Sequence, residues 1–155
     1  FLMGVVALGV SGFAVPAIVV FAAAYVAMNL GAFAVVMVAG RSLEDLRGLG
    51  RSNRWLGVAM VVFVLSLTGI PPLFGFVGKV YLFVAALEAG FLWLAVIGIL
   101  NSVLALGVYL RMVVPMYRDA DAAPTIATAP VLALVLAATA AATLGLGVLA
   151  GLLLP

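Results

Sequence analysis

Long apolar stretches recur from one end of this chain to the other, and nothing else in the sequence limits its folding so strongly. Phe1 to Val10, Phe13 to Ala39, Trp55 to Ala89, Phe91 to Met112 and Ile126 to Leu154 are almost free of charge. A membrane crossing needs about 20 apolar residues, at about 1.5 Å rise each, to pass a hydrocarbon layer of about 30 Å. With 68% hydrophobic and 8% charged residues, the chain has far less charge than the roughly 25% of a soluble domain. Lipid is the solvent, and at these lengths only helices satisfy their own backbone in it. The recurrence of apolar runs also separates the chain from a secretory leader, which has one.

On that ruler the expected fold is all-α, a polytopic transmembrane bundle forming one membrane domain over residues 1–155. Residues 1–10 read as the tail of a helix, so the chain is expected to be a piece of a larger protein. Residues 13–39 form a long span with Pro16 in its first turn, where proline is tolerated, and Gly40 closes it. The stretch 55–89 is too long for one crossing and is interrupted at Gly69-Ile70-Pro71-Pro72, so it reads as two short spans, 55–70 and 73–89. Residues 91–112 and 126–154 complete the set, joined by the polar link Tyr117-Arg118-Asp119-Ala120-Asp121.

Between Arg41 and Arg54, Ser42 and Asp45 resemble a capping box, and Leu43, Leu46 and Leu49 recur at helical spacing. The expectation is a short amphipathic helix lying at the interface, with a plain basic loop as the alternative. This loop carries four arginines against two, Arg111 and Arg118, in a link expected on the opposite side. A margin of two does not set orientation by the positive-inside rule.

The chain has no Cys and no His, which removes disulfides, thiol chemistry, haem, iron–sulfur clusters and ordinary zinc sites. No cofactor, metal or redox centre is expected on it, and its few charges imply no nucleic acid. Lys79 is the single lysine, deep within a span. A charge at that depth costs about 2.5–3.5 kcal/mol on insertion scales and commonly marks an ion path or proton relay. Glu88, nine residues on, points to the opposite face, and the spans hold no other acid. Burial disfavours the charged form of an ammonium, so lysine there can release and regain a proton. Metal cations would instead call for carboxylates or clustered carbonyls, and protons are the favoured ion.

Gly69, Pro71, Pro72, Gly75 and Gly78 all fall within the ten residues before Lys79. They predict a discontinuous helix around Pro71 to Lys79, of the kind tolerated where it lines a wet or protein-filled cavity. Two further polar sets lie within spans: Tyr25 with Asn29 at i, i+4, and Asn101, Ser102 and Tyr109, the last two on one face. Each set could hold water for a proton relay, although interhelical hydrogen bonding is the commoner use. Thr139, Thr143, Gly145 and Gly147 in the last span read as packing residues.

The run Ser66-Leu67-Thr68-Gly69-Ile70-Pro71-Pro72-Leu73-Phe74-Gly75-Phe76-Val77-Gly78-Lys79, followed by Tyr81-Leu82-Phe83, resembles the subunit N family of bacterial NADH:quinone oxidoreductase, respiratory complex I. Subunit N is one of three antiporter-like membrane subunits of that complex. Asn29-Leu30-Gly31-Ala32-Phe33, Trp93 to Gly98, Asn101-Ser102 and Tyr109-Leu110-Arg111 extend the likeness over most of residues 25–118. The resemblance implies the last third of a fourteen-helix subunit, from the end of helix nine, in a multi-pass bacterial inner (plasma) membrane protein. Its implied partners are the other membrane subunits of complex I, the lipid bilayer and protons. It also implies that Lys79 matches the lysine of the broken twelfth helix, near the exit of a proton half-channel. One sister subunit has glutamate there, and another has lysine where this chain has Asn29. Two rival functions remain: a subunit of a sodium/proton antiporter, and a structural membrane spacer.

Overall fold

A computed structural model describes residues 1–40, 44–118 and 129–153. Its elements are α1 (Leu2–Ala7), α2 (Ala14–Ala39), α3 (Leu49–Ser52), α4 (Arg54–Thr68), α5 (Phe74–Glu88), α6 (Leu92–Met116) and α7 (Pro130–Leu153), with no strand among the described residues. Among the described residues, three helices are long and apolar enough to cross a membrane: α2, α6 and the Pro130–Ala150 part of α7. The protein is a polytopic α-helical membrane bundle with one interrupted crossing.

That crossing corrects the reading of 55–89 as two short spans. Helices α4 and α5 have 15 residues each, about 22 Å apiece at 1.5 Å per residue, so neither spans the hydrocarbon layer alone. Their contacts along α2 show how they are joined. Phe63 of α4 sits on Gly31, Gly78 of α5 packs on the backbone of Phe21, and Leu82 packs with Ala14 and Ala17. Just beyond α2, Ser11 Oγ donates to the Glu88 carboxylate at 2.5 Å. As the chain advances from residue 63 to 88, its neighbour falls from residue 31 to 11. The two helices therefore stack end to end, antiparallel to α2, and form one crossing with its break near mid-depth. The 55–89 stretch is long because residues 69–73 are spent on the break.

One crossing fewer moves the later loops to the other side. Helix α6 starts beside Glu88 and ends against the α2–α4 loop, where Gly48 N–H donates to Pro115 O at 3.3 Å and the Tyr117 ring lies over Gly50 and Gly57. The end of α6, with Tyr117 and Arg118, is therefore on the same side as the arginine loop, not opposite it. Arg47, Arg51, Arg54, Arg111 and Arg118 share one end of the bundle, and Ser11 and Glu88 mark the other.

The expected interfacial helix over Arg41–Arg54 is also corrected. Residues 44–48 are turns, Gly48 has φ 74°, and α3 is a single turn. Leu46 and Leu49 are buried in the same core cluster as Met116, Met60 and Phe63. Their spacing served packing against the bundle end. Arg41, Ser42 and Leu43 lie outside the described residues, as do Asp119 and Asp121 of the link and Leu154 of the last predicted span. A second cluster, Ala7, Ala14, Ala17, Leu82 and Ala85, closes the Glu88 end.

Candidate functional site at the broken helix

The site is built from the way α4 stops. Gly69 takes φ 88°, a left-handed conformation that suits glycine. Ile70 N–H donates to Leu65 O at 3.1 Å and Gly69 N–H to Ser66 O at 3.0 Å, which is the Schellman arrangement. Four carbonyls end a helix without intrahelical partners, and this motif satisfies the first two. The carbonyls of Leu67 and Thr68 remain.

Lys79 takes both. Its Nζ donates to Leu67 O at 3.0 Å, to Thr68 O at 2.8 Å and to Ser102 Oγ of α6 at 2.9 Å. An ammonium has three N–H donors and no acceptor, so its capacity is filled. Ser102 Oγ passes its own proton on to Gly98 O at 3.0 Å. The partial negative charge at the C-terminus of α4 adds to the hold on a cation. No carboxylate among the described residues is involved, and Glu88 is tied to Ser11 at the end of α5.

The other side of the break is pinned as well. Gly75 N–H, an orphan donor in the first turn of α5, donates to Ser66 Oγ at 3.0 Å. Ser66 O lies so close to Gly75 that no side chain fits there. The peptide between Pro71 and Pro72 is cis, and two prolines carry the chain across without presenting N–H groups to the membrane interior. Gly147 of α7 lies against Pro72 O and the backbone of Leu73 and Phe74, so the break is backed by the last span. Thr139 and Thr143 bond back into α7.

A cleft of about 240 Å³ opens beside the ammonium, with Gly69, Phe76, Lys79, Phe83, Ser102 and Val103 among its lining. It has room for several waters at about 30 Å³ each. Its walls are apolar except where Lys79, Ser102 and the end of α4 meet.

Of the residues singled out from sequence, the structure brings together Lys79, Ser102, Gly69 and Gly75. Gly78 serves the contact with α2 at Phe21. Asn101, next to Ser102, is exposed on the outer face of α6. Tyr109 is half-buried against the core cluster, two turns from Ser102 toward the arginine end. Asn29 Nδ2 donates to Tyr25 O at 2.7 Å within its own helix, and the exposed Tyr25 ring stacks on Phe21 with centroids 5.8 Å apart. Neither Tyr25 nor Asn29 is a partner of Lys79. What sequence reasoning missed was the partner itself, which is backbone. Its signal was the Thr68-Gly69-Ile70-Pro71 order, a glycine helix stop ten residues ahead of the lysine.

Fold and site together define a polytopic membrane protein with an intramembrane lysine held at a helix break. The family model described as NADH:quinone oxidoreductase/Mrp antiporter, TM, matches residues 2–105, and the chain belongs to that family. Among curated relatives, the NADH-quinone oxidoreductase subunit N of Trichlorobacter lovleyi is 48% identical over 99 residues, covering 60% of this chain and 20% of that protein. Subunit N of Methylobacterium nodulans is 45% identical over 128 residues, 79% of this chain and 27% of that protein. Subunit N 1 of Solibacter usitatus is 40% identical over 148 residues, 88% and 30%. The chain thus spans about a fifth to a third of the length of these relatives. Respiratory complex I from Thermus thermophilus with bound aureothin contains a chain that superposes with a TM-score of 0.79 at 33% identity, over 88% of this chain and 33% of that one.

Proposed function

We propose that the chain is part of a proton-translocating membrane subunit of NADH:quinone oxidoreductase, and that Lys79 takes up and releases the proton. Quinone reduction and its redox centres belong to other subunits, and this chain supplies a piece of the proton path. The observation that carries the reading is the hold on Lys79: two leftover helix carbonyls and a hydroxyl, with no counter-ion among the described residues. A carboxylate would fix the charge in place, whereas dipoles hold it and still let it go. When the proton leaves for water in the cleft, the Ser102 hydroxyl can turn from Gly98 O and donate to the neutral amine. Neither protonation state leaves the site unsatisfied.

In the same reading the arginine end faces the cytoplasm of a bacterial plasma membrane. Five described arginines lie at that end, and neither Lys nor Arg lies at the Glu88 end among the described residues. The partners are other membrane subunits of the complex. Proton transfer by reconstituted vesicles, normalised to quinone reduction and to assembled complex, tests the proposal. Lys79→Ala is expected to lower the proton-to-quinone ratio by more than Glu88→Gln or Asn29→Ala does. A Lys79→Ala complex that assembles and pumps at the unmodified ratio makes the lysine structural. The family description also names Mrp antiporters, and transport that requires sodium in the same vesicles would favour that branch.

A further inference from the structure

A second polar feature of α6 lies outside the lysine site. Gly107, Leu110, Arg111, Val114, Pro115 and Arg118 line a groove of about 350 Å³ along one outer face of the helix, at the arginine end. Arg111 and Arg118 are seven residues apart, so they share this face about 10 Å apart along the axis. Both are exposed, and among the described residues neither guanidinium has an acidic partner. Arg111 is five residues inside the end of α6, where a guanidinium must snorkel outward to reach polar surroundings. Arg118 comes just after the helix end. Their long stems let both heads reach one anionic group between them. Below that level, Gly107 leaves a notch, and the exposed Val103, Leu104 and Val108 continue an apolar surface into the membrane. The exposed Trp55 marks the same level on α4, as aromatic residues do at a membrane interface.

We infer that this groove binds an anionic glycerophospholipid of the arginine-side leaflet, with its phosphate between Arg111 and Arg118 and an acyl chain along Gly107. The charge pattern selects an anion, and the apolar notch beneath it selects one with a hydrocarbon tail. The inference is independent of the proton reading, since it uses no residue of the lysine site.

The test is photo-crosslinking in the intact complex that carries this chain, with a diazirine phosphatidylglycerol as probe and a diazirine phosphatidylcholine as control. Labelled peptides are located by mass spectrometry. The phosphatidylglycerol probe is expected to label residues 103–118, the control to label them weakly, and excess inorganic phosphate not to compete. Loss of two juxtamembrane charges is expected to lower labelling at least about tenfold in R111Q/R118Q. Arg47→Gln removes one arginine from the same end without touching the groove, and should leave labelling unchanged. Equal labelling by the two probes, or unchanged labelling in R111Q/R118Q, overturns the proposal. So does a protein crosslink from Arg118 to an acidic residue of a neighbouring subunit, which would show that protein fills the groove.

Discussion

Ser102→Ala removes the one side chain that holds Lys79 and leaves the helix break untouched, because Ser102 belongs to α6 and makes no bond across the break. The ammonium loses the 2.9 Å bond to Ser102 Oγ and keeps those to Leu67 O and Thr68 O. A hydrogen bond to a charged group is worth about 1.5–3 kcal/mol. Water in the 240 Å³ cleft can replace part of it, which leaves a deficit of about 1 kcal/mol, or about fivefold in a rate limited by proton occupancy. Proton transfer in vesicles should slow by about that factor while assembly and quinone reduction at low proton-motive force stay near normal. Asn101→Ala, one residue away on the exposed face, should change nothing. If Ser102→Ala pumps at the full rate while Lys79→Ala does not pump, the hydroxyl is no part of the relay and the account of its turning is wrong.

Gly75→Ala places a methyl group against Ser66 O, which must push α5 away from the end of α4. Overpacking of this kind costs about 1–3 kcal/mol, and thermal unfolding of the complete subunit should show it as a lower midpoint. Lys79→Arg keeps donors for the two carbonyls but does not deprotonate in proteins, so it should assemble better than Lys79→Ala and still fail to pump. Recovery of pumping by arginine would make the residue a structural clamp. Single cysteines at Arg118 and Glu88 should label with a membrane-impermeant reagent from opposite faces, Arg118 from the cytoplasmic one. Labelling of both from one face would refute the single broken crossing.

The membrane class, the helical fold and the break were legible because they rest on local chemistry: apolar length, and prolines and glycines set ahead of a lone lysine. The joining of α4 to α5 was not legible. Two 15-residue helices are equally consistent with a hairpin and with an end-to-end stack, and the choice lies in side-chain register along α2, at Gly31 with Phe63 and Gly78 with Phe21. That register also decides which side the Arg118 link falls on. The leucines of the arginine loop misled for a related reason. Helical spacing reports one apolar face, and it does not say whether lipid or a bundle end covers it. Ser102 stood among five polar residues with equal standing in the sequence, and only the placement of α6 beside the break singles it out.

An interrupted backbone inside a membrane leaves N–H and C=O groups that no water is at hand to satisfy, each at a cost of several kcal/mol. Here several of these groups find partners on both sides of the break. Leu65 O and Ser66 O go to the turn, Gly75 N–H goes to Ser66 Oγ, Phe76 N–H goes to Leu73 O at 3.0 Å, and the prolines bring no donors. At the end of α4 that leaves two adjacent carbonyls, Leu67 O and Thr68 O, pointing at one place. A lysine six residues into α5 reaches back to them with its stem lying over Gly69, where a side chain would collide with it. The cation thus completes the break, and the break supplies the cation with partners that are dipoles rather than charges. A deprotonated Lys79 still has two N–H groups for the two carbonyls, but neutral donors bind them more weakly than an ammonium does, which favours reloading, while the lack of a counter-ion among the described residues limits how firmly the proton is kept. The balance of those two effects is what a relay group in the middle of a membrane requires.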